Sequence, residues 1–318
     1  VDLDVLFVGT AGSAPTARRG LPATLVRRGG DRLLFDCGEG TQRQLIRSVG
    51  LIELDEVFVT HLHADHLLGL PGLLKTYGLM GRERPLHVYG PKGLERMFAA
   101  LRPVVGRTAY EVHLRELESG HEVDRDGYRI AAFGVDHGVT ALGYALIEDA
   151  RPGRFDEERA RELGVEPGPD FGRLQRGELV GDVTPDQVLG EARRGRTVVL
   201  TGDTAPSEMT LAVAHGADLL VHEATFMQGE AERARETGHS TARAAAELAA
   251  SAEVGLLALT HLSSRYGGGE VLDEARSAFE RTIVPRDFDR VDIPLPERGA
   301  PEHVRHQGRG VALPAASA

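Results

Sequence analysis

Apolar and polar positions along the chain repeat one theme: a short apolar run, a polar or glycine-rich loop, then a stretch with helical spacing. Residues 5–8 read as a strand, and 23–28 with 32–35 read as a hairpin around Gly29-Gly30-Asp31. Helical spacing follows at 41–49. Residues 57–60 form an apolar strand that runs into a histidine-rich loop, with a helix expected over 67–79. Further strands are expected at 86–89, 128–135, 141–147, 198–201, 219–221 and 256–260, and a helix over 240–250. Strands and helices of comparable number predict an α/β layered domain over residues 1–295. Residues 148–196 break the theme. They are rich in Gly, Pro, Arg and acids and poor in long apolar runs, so they read as an insertion projecting from the core. Residues 296–318 hold Pro, Gly and Ala with little to bury, which predicts a disordered tail.

Composition narrows the chemistry more than the fold. At 318 residues, 41% hydrophobic and 27% charged, the chain can build a core and resembles no collagenous or disordered class. No apolar run approaches the roughly 18 residues of a membrane span, and Asp2 and Asp4 stand where a basic leader would be, so a cytoplasmic protein with no membrane partner is expected. Cys37 is the single cysteine, which excludes an intramolecular disulfide and a thiolate-rich metal cage. Any metal must be held by His, Asp and Glu. The net charge of −11 argues against a coat of positive potential for nonspecific nucleic-acid binding, although a local patch can still grip phosphate.

The strongest chemical signal is Thr60-His61-Leu62-His63-Ala64-Asp65-His66, directly after an apolar strand. Four metal-capable side chains within six positions of a tight loop can converge on one point, because the strand end fixes the loop while the side chains stay free to turn inward. Zinc favours such nitrogen and oxygen donors, and catalytic sites leave a position open for water.

That loop resembles the H-x-H-x-D-H signature of the metallo-β-lactamase superfamily. The partner ligands the resemblance implies are present in order, each at a strand end: His137 in Val135-Asp136-His137-Gly138, Asp203 in Thr201-Gly202-Asp203-Thr204, and His261 in Leu259-Thr260-His261-Leu262. By resemblance the fold is an αββα sandwich with an inserted exosite arm. His61, His63 and His137 are implied to hold one zinc, and Asp65, His66 and His261 a second. Asp203 bridges them, so two Zn2+ per chain are expected, with Mn2+ or another divalent ion as substitutes. The histidines at 87, 113, 121, 215, 303 and 306 match no motif and read as surface or loop residues.

Superfamily membership alone does not choose a substrate. Three further features do. Val221-His222-Glu223-Ala224-Thr225-Phe226, with Gly238-His239-Ser240-Thr241, resembles the paired His-Glu-Ala-Thr and His-Ser-Thr loops of the ribonuclease Z family, which matures tRNA 3′ ends. There the glutamate orients the histidine, and the histidine protonates the leaving 3′ oxygen; Asp65, Glu223 and His239 are thereby implied as the catalytic residues. An alkoxide leaving group needs such an acid, whereas a thiolate does not. Glu166-Pro167-Gly168-Pro169, followed by Gly172 to Glu178, resembles the Gly-Pro segment of that family's tRNA-gripping arm, with Gly168, Pro169, Arg173 and Arg176 implied as RNA contacts. The arm as a whole is not basic, with nine arginines against twelve acids over 148–197. Segments from Phe7 to Arg19, from Leu34 to Gln42 and from Val88 to Gly93, and Ser264-Arg265-Tyr266, match as well, with Arg265 implied as an RNA contact and Asp36 as the acid that orients the ligand loop. The chain departs where the family has Arg-Asn, here Arg19-Gly20.

The resemblance thus implies an endoribonuclease that cuts the 3′ trailer from precursor tRNA, leaving a 3′-hydroxyl on the tRNA and a 5′-phosphate on the trailer, and working as a homodimer. The alternatives are a glyoxalase- or lactonase-like hydrolase, or another metal-dependent phosphodiesterase, with the same ligands. A catalytically dead RNA-binding relative should have lost ligands, and none is missing.

Overall fold

The computed structural model describes residues 1–307. Strands β1 (Leu3–Gly9), β2 (Ala23–Arg28), β3 (Asp31–Phe35), β4 (Glu56–Phe58), β5 (Leu86–Pro91) and β6 (Val112–Leu117) build one side of the molecule. Strands β7 (Glu122–Arg125), β8 (Tyr128–Gly134), β9 (Leu142–Glu148), β10 (Thr197–Leu200), β11 (Leu219–Glu223), β12 (Leu256–Thr260) and β13 (Thr282–Ile283) build the other. Strands β14 (Arg290–Asp292) and β15 (Glu302–Val304) return to the first sheet. The orders are β15-β14-β1-β2-β3-β4-β5-β6 and β13-β12-β11-β10-β9-β8-β7.

Both sheets are apolar on both faces, which explains the continuous apolar runs in the sequence. Alternation along β1 sends Leu3, Val5 and Phe7 into the space between the sheets and Leu6 and Val8 outward under helices. Likewise Leu256 and Ala258 of β12 face the other sheet, while Leu257 and Leu259 pack on the helices that include Ala242–Ser251. The layers are therefore helix, sheet, sheet, helix: the expected αββα sandwich. No helix among the described residues is long and apolar enough to cross a membrane.

Strand direction decides where chemistry can sit. Strands β10, β11 and β12 are mutually parallel, β8 shares their direction through two antiparallel steps, and β3 and β4 are parallel in the facing sheet. Their carboxyl ends gather at one end of the sandwich, and the loops there carry every expected metal ligand.

Residues 148–196 leave from the opposite end. The arm starts at Glu148 and returns at Arg196, whose fully buried guanidinium is bonded to Glu148 at 2.7 Å. Bridges Arg151↔Arg193 and Phe155↔Leu189 make a stem. Above it Ala160, Val165, Phe171, Leu174, Val183 and Val188 form a small core of their own. From Arg196 along β10 to Asp203 is roughly 20 Å at about 3.3 Å per residue.

The tail expectation is corrected in part. Residues Glu302–Val304 pair with β14 and extend the first sheet, and His303 Nε2 lies 3.0 Å from Asp289 Oδ2. Backbone pairing holds this stretch despite its few apolar side chains, so it is part of the domain edge. The rest of the expected tail, 308–318, lies outside the described residues.

Candidate metal centre

The ligand loop is fixed by one buried carboxylate. Asp36, just past β3 in a left-handed conformation (φ 59°), accepts from the Thr60 amide at 2.8 Å and from Thr60 Oγ1 at 2.9 Å. Its Oδ2 lies 2.7 Å from His66 Nδ1, in the short helix Ala64–Leu67 that follows the loop. A left-handed non-glycine residue costs free energy and persists where its surroundings hold it. His261 (φ 54°) and Ser13 (φ 59°) are two more such residues at this end. Gly202 is required where Asp203 turns in: its φ is 63°, and a Cβ there would lie 2.7 Å from Thr60 Cβ.

His61, His63 and His137 bring three nitrogens together, with His61 Nε2 at 3.0 Å and His137 Nε2 at 3.4 Å from His63 Nδ1. Asp65, His66 and His261 form a second group, in which His261 Nε2 is 3.3 Å from Asp65 Oδ2. Asp203 lies between them. Its Oδ2 is 3.8 Å from His61 Nε2 and 3.3 Å from His261 Nε2, and its Oδ1 is 3.4 Å from His66 Nε2.

The other ring nitrogens of His61, His137 and His261 are committed elsewhere. Nδ1 of His61 faces Thr60 Oγ1 at 3.0 Å, that of His137 donates to the Gly238 carbonyl at 2.8 Å, and that of His261 faces Thr225 Oγ1 at 2.8 Å. Because Thr60 and Thr225 give their own protons to Asp36 and Glu223, the imidazoles donate to them and keep Nε2 lone pairs for the centre. Burial and the neighbouring His66 push His61 down to about 2, so its ring is neutral. Asp203 is fully buried, which opposes its charge, yet His261 and His66 hold its carboxyl well below the usual range.

Two buried atoms of the donor cluster, His66 Nε2 and Asp203 Oδ1, have no hydrogen-bond partner. Such orphans are costly unless something else satisfies them. Imidazole nitrogens, carboxylate oxygens and these orphans together fit divalent cations of the zinc type.

Beside the cluster, His239 Nδ1 is 2.6 Å from Glu223 Oε1. Glu223 is buried at the end of β11 and also accepts from the amides of Thr204 and Thr225, both at 3.0 Å. Its burial would raise its carboxyl, but the His239 contact outweighs that and holds it below its ordinary value. Burial works against a charged His239, and Glu223 more than offsets it, so the imidazole is raised. With Nδ1 committed, Nε2 is the nitrogen left for a substrate.

The RNA-contact expectations fare differently. Gly168, Pro169, Arg173 and Arg176 lie on the arm, around the short helix Pro169–Gln175, and are not brought to the metal cluster. Arg173 is paired with Asp170 and Glu178, and Arg176 with Glu178. Arg265 stays near the centre, with its guanidinium 5.2 Å from the centre of the Phe226 ring and bonded to Glu230 at 2.7 Å. Sequence reasoning missed the orienting groups Thr60 and Thr225, the Gly238 carbonyl and the Ser13 amide, which donates to Asp65 Oδ2 at 2.9 Å. The two threonines stood inside quoted motifs. The backbone groups leave no signal in a sequence.

Comparison with known proteins agrees with this geometry. Residues 19–261 match the metallo-beta-lactamase superfamily. Curated proteins named ribonuclease Z are similar over nearly the whole chain. The one from Natronomonas pharaonis is 50% identical, covering 93% of this chain and all of its own, and the one from Gemmatimonas aurantiaca is 49% identical, covering 92% and 96%. The chain belongs to the ribonuclease Z family. The crystal structure of human tRNase Z, short form, is 26% identical and superposes with a TM-score of 0.68 over 92% of this chain and 99% of its own. Against these ribonuclease Z relatives, the metallo-beta-lactamase fold protein YhfI of Bacillus subtilis, at 20% identity and TM-score 0.69 over 92% of this chain and its whole length, shares the fold.

Proposed function

We propose that this chain is a metal-dependent endoribonuclease that removes the 3′ trailer of precursor tRNA, leaving a 3′-hydroxyl on the tRNA and a 5′-phosphate on the trailer. One observation carries the reading beyond family membership: a histidine raised by a buried glutamate at 2.6 Å, beside two converging groups of metal donors. A 3′ alkoxide leaving group needs a proton. A thioester hydrolase with the same ligands has no comparable use for this pair, because a thiolate leaves without a proton.

His61, His63 and His137 would hold one divalent cation, Asp65, His66 and His261 the other, and Asp203 both; two Zn2+ per chain is the expected content. Such a pair supplies a water nucleophile at neutral pH and neutralises charge on the phosphate oxygens. The chain's own groups do the rest. Asp36, Thr60, Thr225 and Gly238 hold the imidazoles in one tautomer. Asp65 is both a donor and a catalytic carboxylate, kept in one rotamer by the Ser13 amide. His239 protonates the leaving 3′ oxygen from Nε2 while Glu223 stabilises the charged ring.

Residues 148–196 act as the exosite arm that grips the tRNA body. Its separate core and its root roughly 20 Å from the donors support a role in reach rather than chemistry. A homodimer fits the exposed Leu79, Met80 and Val104 at the ends of two neighbouring helices, Gly69–Leu79 and Leu94–Val105. Acting on precursor tRNA implies a cytoplasmic site of action. Offering one preparation a precursor tRNA and a thioester tests the reading: the tRNA is cut and the thioester is not, whereas the reverse would sink it.

A further inference from the structure

Next to the donor cluster is a larger groove of about 870 Å3, walled by residues 16–19, the turn after His261, the 284–289 turn and the end of β15. It adjoins the centre through two chain segments. Leu262 follows His261, and the 10–20 loop that forms one wall reaches Asp65 through the Ser13 amide.

The charge of this groove differs from that of the chain. Arg18, Arg286 and Arg305 line it, all exposed, and among the described residues none of their guanidinium groups makes an ion pair or a hydrogen bond. Arg19 is different: it turns inward to Thr10 and the Pro285 carbonyl. The lining carboxylate, Asp289, is already taken by His303 and by the amides of Arg286 and His306. On a chain of net charge −11, three free guanidinium groups in one depression make a local positive potential with unused donors. Planar donors of this kind match phosphodiester oxygens. The volume suits a short stretch of single strand and is too small for a duplex.

Resting on the trailer-removal reading above, we propose that this groove binds the single-stranded trailer through its phosphodiesters, with Arg286 and Arg305 as the principal contacts and Arg18 on the facing wall. The tRNA side of the cut is a duplex stem whose body belongs to the arm. The trailer is the single strand that must leave the centre by another way, and this groove opens beside it.

The probe is a fluorescent ten-nucleotide RNA with a 5′-phosphate, titrated by anisotropy at several salt concentrations. Arg286→Ala/Arg305→Ala should weaken binding about five- to twentyfold near 0.1 M salt and flatten the log–log salt slope by about 1.4, since each lost single-strand phosphate contact accounts for about 0.7. Arg286→Lys/Arg305→Lys should restore most of the slope. In cleavage, the double alanine variant should raise KM for a precursor with a ten-nucleotide trailer, leave kcat unchanged and spare a one-nucleotide trailer. Unchanged binding and slope, or equal losses on both precursors, would overturn the proposal. A wild-type enzyme that binds the oligonucleotide but leaves precursor uncut would instead refute trailer removal, with the groove's affinity for a phosphodiester strand still standing.

Discussion

Replacing Glu223 or His239 probes the step that separates RNA cleavage from other hydrolysis on this scaffold. His239→Ala removes the acid and should lower kcat on precursor tRNA by about 10²–10⁴, or about 2.7–5.4 kcal/mol at 1.36 kcal/mol per decade. Glu223→Gln keeps the imidazole but removes a buried, charge-assisted contact of 2.6 Å. Such a bond contributes about 1.5–3 kcal/mol, so a loss of about 10- to 100-fold is expected at mildly alkaline pH. The pH profile gives the sign. An acid must be protonated to act, so activity is present below its pKa and lost as pH rises through it. Glu223 raises His239, which extends the active range upward, and Glu223→Gln should move the alkaline fall of single-turnover kcat to lower pH. On bis(4-nitrophenyl) phosphate, whose leaving group needs no proton, both variants should stay close to wild type. Equal losses on the two substrates, or an alkaline limb that does not move in Glu223→Gln, would refute the role.

Other outcomes follow from the same geometry. Metal analysis should find two ions per chain, falling in His66→Ala and in Asp203→Ala with loss of turnover and little change in circular dichroism; a single ion with activity kept in either variant would contradict two sites. Deleting residues 156–187 should raise KM for precursor tRNA and spare a small phosphodiester, because the arm core is separate from the donors; a matching loss on the small substrate would count against the arm's role. Glu148→Gln breaks the buried pair with Arg196 and should cost about 3–5 kcal/mol of stability in denaturant unfolding. Arg196 and Arg28 outweigh burial and bring Glu148 from 4.5 down to about 2, so wild type loses this contribution as pH falls below about 4.5 towards 2. A variant with the wild-type acid profile would show that the pair contributes little.

The candidate metal donors were legible because the cluster is written as residue types at strand ends, and strand ends follow from apolar runs. His137, Asp203 and His261 each follow an apolar strand, and the fold needs only parallel strand direction to bring them together. What orients them was less legible: Gly238 contributes a carbonyl and Ser13 an amide, which any residue could supply. Edge elements were also hidden. Strands β6 and β7 carry few buried side chains, and β14 and β15 are three residues each, held by backbone pairing. Helix Leu94–Val105 contains Pro103, which masks its last turn in the sequence. At the Arg19-Gly20 departure, the Gly20 amide donates to Asp287 at 2.6 Å, and a Cβ there would meet Gln44 Nε2 at 2.8 Å. A side chain there would require the Gln44 amide, which shares the same carboxylate, to shift.

The most direct measurement is the chemistry of the ends. Precursor tRNA labelled at its 5′ end, cut by the metal-loaded enzyme and run against size markers, should give one product ending just after the discriminator nucleotide. Its 3′-hydroxyl should accept ligation without phosphatase treatment, and the trailer should carry a 5′-phosphate. A 2′,3′-cyclic phosphate on the tRNA would contradict attack by water with His239 protonating the 3′ oxygen, and an uncut precursor would contradict the function itself.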